Sequence, residues 1–157
     1  MNQQAQALGL TNTRFLNATG LPNENHYSTA EDLARLTIAL INDHPEQYKL
    51  YSQRSYKFND IAQPNRNKLL WRDRSVDGVK TGYTAAAGYC LVASAERNGV
   101  RLISVVMGTD SDEARMRESQ KLLSYGFRNF DTQTLYKAGI NLRQQDVYYL
   151  SLIHISE

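Results

Sequence analysis

The 157-residue chain predicts an α+β fold: an antiparallel sheet with helices packed on it. Three observations point there. Alternating apolar runs at residues 76–81, 89–95 and 102–107 follow one another closely, and Asn98-Gly99 offers the positive φ angles of a tight hairpin turn. Residues 28–43 place leucines at helical spacing behind a capping signal, and residues 112–129 carry a longer apolar stripe at helical spacing. Strands in succession followed by a helix give a layered arrangement, the helix covering one sheet face.

Element by element, residues 2–8 read as the end of a helix stopped by Gly9, which can adopt the left-handed conformation that closes a helix. Ser28-Thr29-Ala30-Glu31 reads as a capping box, the Ser28 hydroxyl taking an orphan backbone N–H while Glu31 reaches back. Leu33, Leu36, Leu40 and Ile41 then mark an amphipathic helix ending near Asp43, ahead of Pro45. Residues 56–59 suggest one short strand before the three longer ones. In the last helix Met116, Leu123, Phe127 and Phe130 trace one stripe expected to be buried. Trp71 is expected in the core rather than as a substrate platform. There is no internal repeat, low-complexity stretch or linker.

Composition excludes several classes. With 18 basic and 16 acidic residues, 41% hydrophobic and 10% aromatic, the chain is large enough for one core. The net charge of +2, with basic residues scattered among acids, implies no nucleic-acid partner. No apolar stretch approaches the length a bilayer requires, and Met1-Asn2-Gln3-Gln4 shows no signal-peptide pattern. Cys90 is the single cysteine and is read as a small buried hydrophobe, with a nucleophilic or redox thiol as the other possibility. His26, His44 and His154 have no metal-ligand spacing with it, so no metal site is expected.

The chemistry-bearing stretch is Val76-Asp77-Gly78-Val79-Lys80-Thr81-Gly82-Tyr83-Thr84. Lys-Thr-Gly on a strand is one of three motifs of the penicillin-recognising serine enzymes. A given tripeptide arises by chance in roughly one chain in fifty of this length, so its surroundings must decide. They comprise Asn65-Arg66-Asn67-Lys68-Leu69-Leu70-Trp71 before it, then Ala87-Gly88-Tyr89-Cys90-Leu91-Val92-Ala93-Ser94-Ala95 and Arg101-Leu102-Ile103-Ser104-Val105-Val106-Met107-Gly108 after it. The other two motifs, Ser-x-x-Lys and Ser-x-Asn, occur nowhere in the 157 residues.

This ordered series resembles the D-alanyl-D-alanine carboxypeptidases, the low-molecular-mass penicillin-binding proteins of bacterial cell-wall maturation. The likeness runs from about residue 1 to about residue 149. It implies a partial penicillin-binding-protein/β-lactamase-like transpeptidase domain: residues 1–135 as the second half of the catalytic domain and residues 136–149 as the start of a C-terminal β-rich domain. Residues 150–157 depart from the family pattern and are read as a non-native tail, or else as an ordinary strand of alternating apolar residues. The family's sheet has five strands, two of them from sequence preceding this stretch. The strand at 102–107 would then present a bare edge, and the isolated chain is expected to aggregate.

The resemblance also implies roles. Lys80 would line the cleft and bias proton transfer during acylation; the alternative is a solvated strand lysine. Thr81 would offer its hydroxyl to the terminal carboxylate of the substrate, or serve merely as a β-branched strand former. Gly82 would let an extended peptide lie along the strand, and Thr84 fits the family pattern as a substrate-binding position. The backbone N–H of Tyr83 would supply half of the oxyanion hole, although many carboxypeptidases of this group have histidine there. Arg115 would direct a donor fork to the carboxylate of the leaving D-alanine, or be an exposed helix arginine. Arg66 is a weaker candidate for the cleft wall.

The implied partners are a peptidoglycan stem peptide ending in D-Ala-D-Ala and the β-lactams that mimic it. No cofactor or metal is implied. The location is periplasmic or at the outer face of the cytoplasmic membrane, with membrane association only through segments not in this sequence. Without the nucleophile motif the chain alone is expected to be inactive. Two rivals remain: a β-lactamase or cell-wall endopeptidase of the same fold, and a non-catalytic peptidoglycan-binding module.

Overall fold

The computed structural model describes residues 1–133, 135–136 and 139–141. In chain order the elements are α1 (Asn2–Ala7), α2 (Ala30–Asp43), α3 (Pro45–Tyr48) with a 3-10 turn at Lys49–Ser52, β1 (Ser55–Phe58), β2 (Ile61–Pro64), α4 (Leu69–Arg72), β3 (Val76–Thr84), β4 (Gly88–Arg97), β5 (Val100–Thr109) and α5 (Asp112–Asn129). The expected beginning of a second domain and the expected tail at 150–157 fall almost wholly outside the described residues.

Strands β3, β4 and β5 form the antiparallel meander the sequence predicts, in the order β3-β4-β5. Asn98 at φ 50° and Gly99 at φ 78° make the β4–β5 turn, the two left-handed residues a right-twisted hairpin requires. Registers pair Thr81 with Leu91, and Leu91 with Val106. Side chains alternate across the sheet, so Val79, Thr81, Leu91, Ala93, Ala95, Leu102, Ser104 and Val106 share one face. Lys80, Gly82, Cys90, Val92, Ser94 and Ile103 share the other.

Helix α5 covers the first face. Its start is capped by Ser111, whose Oγ accepts from the Ala114 N–H at 3.1 Å, and Asp112 and Glu113 occupy the first turn, where the helix dipole favours negative charge. The core joins Met116 and Leu123 to Leu69, Leu70, Val76, Leu91, Ala93 and Ala95. Full burial of a leucine or methionine of this kind stabilises the fold by roughly 1.5–3 kcal/mol. Close approach of helix to sheet depends on small residues: Ala93 and Ala95 are fully buried, and a Cβ at Gly126 would meet Leu102 Cδ1 at 2.5 Å.

Several expectations are corrected. The helix cap of α2 is Thr29, one residue later than predicted: its Oγ1 accepts from the Asp32 N–H at 3.2 Å. Ser28 instead shares a hydrogen bond of 2.8 Å with Thr13, and Glu31 pairs with Arg35, so no reciprocal box forms. The fully buried residues of α2 are Asp32 and Thr37, not its leucines. Asp32 faces back to accept from the Asn12 N–H and the Thr13 hydroxyl, fastening the preceding loop. Phe130 leaves the α5 stripe, standing 61% exposed as the extended cap residue, and Ser119 and Gly126 take buried positions. Trp71 is 45% exposed; in the four-residue α4 only Leu69 and Leu70 are buried. Cys90 is half-buried rather than buried. The single strand predicted at 56–59 is a hairpin, β1 with β2, turning at Asn59 and Asp60, both at positive φ. All its positions are exposed, so no inside-outside alternation marked its second strand.

Among the described residues β3 and β5 each pair only with β4, which leaves an open row of backbone donors and acceptors on either side. The isolated chain is expected to self-associate as its concentration rises. Sedimentation velocity over a concentration series checks this; a monomer at all concentrations with one cooperative unfolding transition would contradict it.

Candidate active site

The Lys80-Thr81-Gly82 segment lies on edge strand β3, where half the backbone groups have no partner strand. Strand alternation sends Lys80 and Thr81 to opposite faces, so they flank one open edge from two sides. Lys80 is exposed, and its Nζ donates to the Thr81 carbonyl at 2.7 Å. Partial burial of the ammonium, with the nearby charges of Arg66 and Arg115, holds its pKa below the ordinary lysine value. Thr81 is 8% exposed, on the helix side and in register with Leu91.

Gly82 stands opposite Cys90, with Cys90 Cβ 3.9 Å from where its own Cβ would be. Tyr83 is 60% exposed and its ring lies 4.3 Å from that of Tyr89, its cross-strand partner. Thr84 closes the β3–β4 turn, its Oγ1 accepting from the Ala87 N–H at 3.0 Å. The Cys90 thiol is 3.5 Å from the Ala87 carbonyl.

Arg115, in the first turns of α5, is 6% exposed and is not the solvated helix arginine that was one reading of it. Its Nη1 donates to the Gly82 carbonyl at 2.9 Å and reaches the Cys90 carbonyl at 3.3 Å, while its Nη2 is paired with Asp112. The guanidinium carbon lies 5.4 Å from the Tyr89 ring centre. Its Nε is buried with no partner. A buried cation is tolerated when its charge is paired and its terminal donors are met, as they are at both Nη atoms. Arg66 is exposed and contributes to the same positive field at Lys80.

Sequence reasoning missed the groups that hold this strand. Asn67, 1% exposed, donates from Nδ2 to the Gly78 carbonyl at 2.9 Å and accepts at Oδ1 from the Leu69 N–H at 3.2 Å. Its own N–H donates to Asn65 Oδ1, and Asn65 Nδ2 donates to the Gln53 carbonyl at 2.9 Å. Lys68 pairs with Asp112 at 2.6 Å, and that pairing, with Arg115 adding to it, keeps the Asp112 carboxyl below the ordinary carboxylate range. Beneath the strand, the Tyr48 hydroxyl donates to Asp77 Oδ1 at 2.7 Å. A Cβ at Gly78 would lie 2.6 Å from that hydroxyl oxygen, so the position has no room for a side chain. Arg101 binds Asp77 Oδ2 and Ser94 Oγ, each at 2.7 Å, and also pairs with Glu96. The readable signal was Asn65-x-Asn67 one residue ahead of Leu69-Leu70.

Among the described residues no three His, Cys, Asp or Glu side chains converge as metal ligands, and no helix is long and apolar enough to cross a membrane.

Comparison with known proteins fits this arrangement. A family model described as D-alanyl-D-alanine carboxypeptidase matches residues 1–111. The D-alanyl-D-alanine carboxypeptidase DacC of Escherichia coli (strain K12) is 50% identical over 150 residues, covering 95% of this chain and 38% of the relative. The chain thus spans well under half the length of that curated relative. Penicillin-binding protein 5 from Haemophilus influenzae superposes with a TM-score of 0.88 at 49% identity, covering 94% of this chain and 44% of the other. Penicillin-binding protein D2 from Listeria monocytogenes, in a cefotaxime-bound form, gives a TM-score of 0.75 at 37% identity, covering 80% and 53% respectively. On the match of the family model and on these likenesses, the chain belongs to the D-alanyl-D-alanine carboxypeptidase family.

Proposed function

We propose that this chain forms the strand-and-cation part of a serine D-alanyl-D-alanine carboxypeptidase site, with the nucleophilic serine supplied by polypeptide outside these 157 residues. The observation that carries the reading is Lys80-Thr81-Gly82 on an open sheet edge within the positive field of Arg66 and Arg115. An extended peptide ending in a carboxylate is the ligand such an edge takes: backbone groups pair along the strand, and the cations draw the terminal charge. In the D-Ala-D-Ala end of a peptidoglycan stem, the serine would attack the penultimate carbonyl, the terminal D-alanine would leave, and water would release the acyl group. The compartment is the periplasm or the outer face of the cytoplasmic membrane.

Each residue has a defined part in this reading. Lys80 biases proton traffic at the serine, and its lowered pKa brings the ammonium closer to exchanging a proton at working pH. The Tyr83 N–H supplies half of the oxyanion hole, for the charge that develops on the carbonyl oxygen. Thr81 and Gly82 seat the extended peptide, and Thr84 shapes the turn at the end of the strand. Arg115 contributes positive charge at the carboxylate end while its own donors hold the Gly82 carbonyl. β-Lactams are the covalent mimics of this substrate. Cefotaxime seated in the Listeria relative supports that ligand class.

The test uses labelled penicillin and a D-Ala-D-Ala-terminated peptide. A polypeptide carrying this segment together with a Ser-x-x-Lys and a Ser-x-Asn sequence is expected to retain label through denaturation and to release D-alanine in preference to hydrolysing penicillin. The present chain alone is expected to do neither. Label retained by the chain alone, or rapid penicillin hydrolysis without D-alanine release, would sink the assignment.

A second expectation concerns Lys80. Arg66→Ala removes a neighbouring positive charge, so the Lys80 pKa should rise toward the ordinary lysine value, read as an upward shift in the NMR titration of its Cε. The stability consequence has a definite sign. With the folded pKa below the unfolded one, the unfolded chain holds this proton more tightly. The contribution of Lys80 to stability is therefore fully present above the ordinary lysine pKa and declines as pH falls toward its lowered folded value.

A further inference from the structure

Strand β3 is an edge strand, yet its reactive stretch is tied down on both sides of Lys80 by side chains that trace back, directly or through α5, to one short segment. Upstream, the Gly78 carbonyl accepts from Asn67 Nδ2 at 2.9 Å. Downstream, the Gly82 carbonyl accepts from Arg115 Nη1 at 2.9 Å, Arg115 is paired with Asp112, and Asp112 is held by Lys68 Nζ at 2.6 Å. Asn67 and Lys68 are adjacent in sequence, and Lys80 lies midway between the two anchored glycines. Both glycines lack the side-chain packing that would otherwise keep a strand from shifting.

We infer that Asn67 and Lys68 are positioning residues for Lys80, fixing the two flanks of the reactive strand through the Gly78 carbonyl and through the Asp112–Arg115 relay to the Gly82 carbonyl. The inference rests on the proposed acyl-transfer function for its catalytic meaning; its structural content stands on the contacts themselves.

The segment is itself braced for this task. Asn65 Oδ1 accepts from the Asn67 N–H at 2.9 Å, and Asn65 Nδ2 donates to the Tyr51 and Gln53 carbonyls. Asn67 is almost completely buried, so its carboxamide has no water to exchange with and its geometry is set by the protein. Lys68 differs: its side chain is 59% exposed, against 26% for Asp112. An exposed ion pair adds little stability. Its effect here is directional, holding Asp112 where it can grip a buried guanidinium whose Nε has no partner of its own. Arg66, placed between the two asparagines, is carried to the strand by the same bracing, adding to the positive field at Lys80.

The experiment compares Asn67→Ala, Lys68→Met and Lys68→Arg in a complete polypeptide that carries this segment with a Ser-x-x-Lys serine. Backbone hydrogen exchange and the rate of acylation by labelled penicillin are both read. Lys68→Met, at an exposed position, is expected to keep the thermal midpoint, to speed exchange in residues 79–83 but not in 89–95 or 102–107, and to slow acylation about ten-fold, the scale of loss a sub-ångström misplacement brings. Lys68→Arg should restore both. Asn67→Ala should show the same local change; if it fails to fold, the two Lys68 variants still decide.

Exchange and acylation unchanged in Lys68→Met would overturn the inference, and so would exchange rising equally through all three strands, which marks general structural support. Should the unsubstituted polypeptide fail to acylate, the proposed function falls, while the exchange comparison still decides whether these residues hold the strand.

Discussion

Burial of β4 between two partner strands and beneath α5 is the constraint on which the other elements depend. Leu91, Ala93 and Ala95 on its covered face are fully buried, and the two alanines are short enough to let the helix descend onto the sheet. Met116 and Leu123 then fill the space between. A larger residue at either alanine would lift the helix or strain its packing. The depth of that contact matters beyond stability. Only a helix this close brings the Arg115 guanidinium within reach of the Gly82 and Cys90 carbonyls, which is how core packing is transmitted to β3.

The opposite face is organised by polar groups. Tyr48, Asp77, Arg101, Ser94 and Glu96 form one connected set. Burial pushes the Tyr48 phenol above its ordinary pKa, so it remains a proton donor to Asp77 throughout the neutral range. Connected networks of this kind hold geometry because each member satisfies its neighbours, and loss of one leaves the others unpaired. The network joins β3 at Asp77, and the neighbouring Gly78 lies against the Tyr48 ring. The missing side chain of Gly78 admits that ring, and its carbonyl meets Asn67 from another direction. The strand bearing Lys80 is therefore shaped from below by aromatic contact, from one flank by an asparagine and from the other by an arginine.

An edge strand able to receive a peptide has to keep its outer hydrogen-bonding groups free, yet free edges are usually the least restrained part of a sheet. Here restraint comes from side chains acting on individual carbonyls, which leaves other backbone groups along the edge open. Arg115 also supplies positive charge, and partial burial together with the charges of Arg66 and Arg115 lowers the affinity of Lys80 for its proton. Anchoring and electrostatics are thus two results of one arrangement, and a family assigned to acyl transfer at a carboxylate-terminated peptide has use for both.

The sequence by itself determined the meander, the Asn98-Gly99 turn, helix α5 and the family, because each rests on local signals: alternation, left-handed turn residues, helical spacing of apolar residues and a motif in ordered context. It misplaced the α2 cap by one residue, since Ser28 and Thr29 are equally able to cap and only the distant Thr13 hydroxyl decides between them. It missed β2, whose residues are exposed on both faces. Tertiary structure alone decided that Trp71 stands outside the core and that Phe130 leaves the helical stripe. It also decided that Asn67 is buried against a carbonyl eleven residues away, and that Arg115 and Asp112 become a relay from Lys68 to Gly82. Those assignments depend on which polar groups meet across the fold, a property that no spacing along the chain encodes.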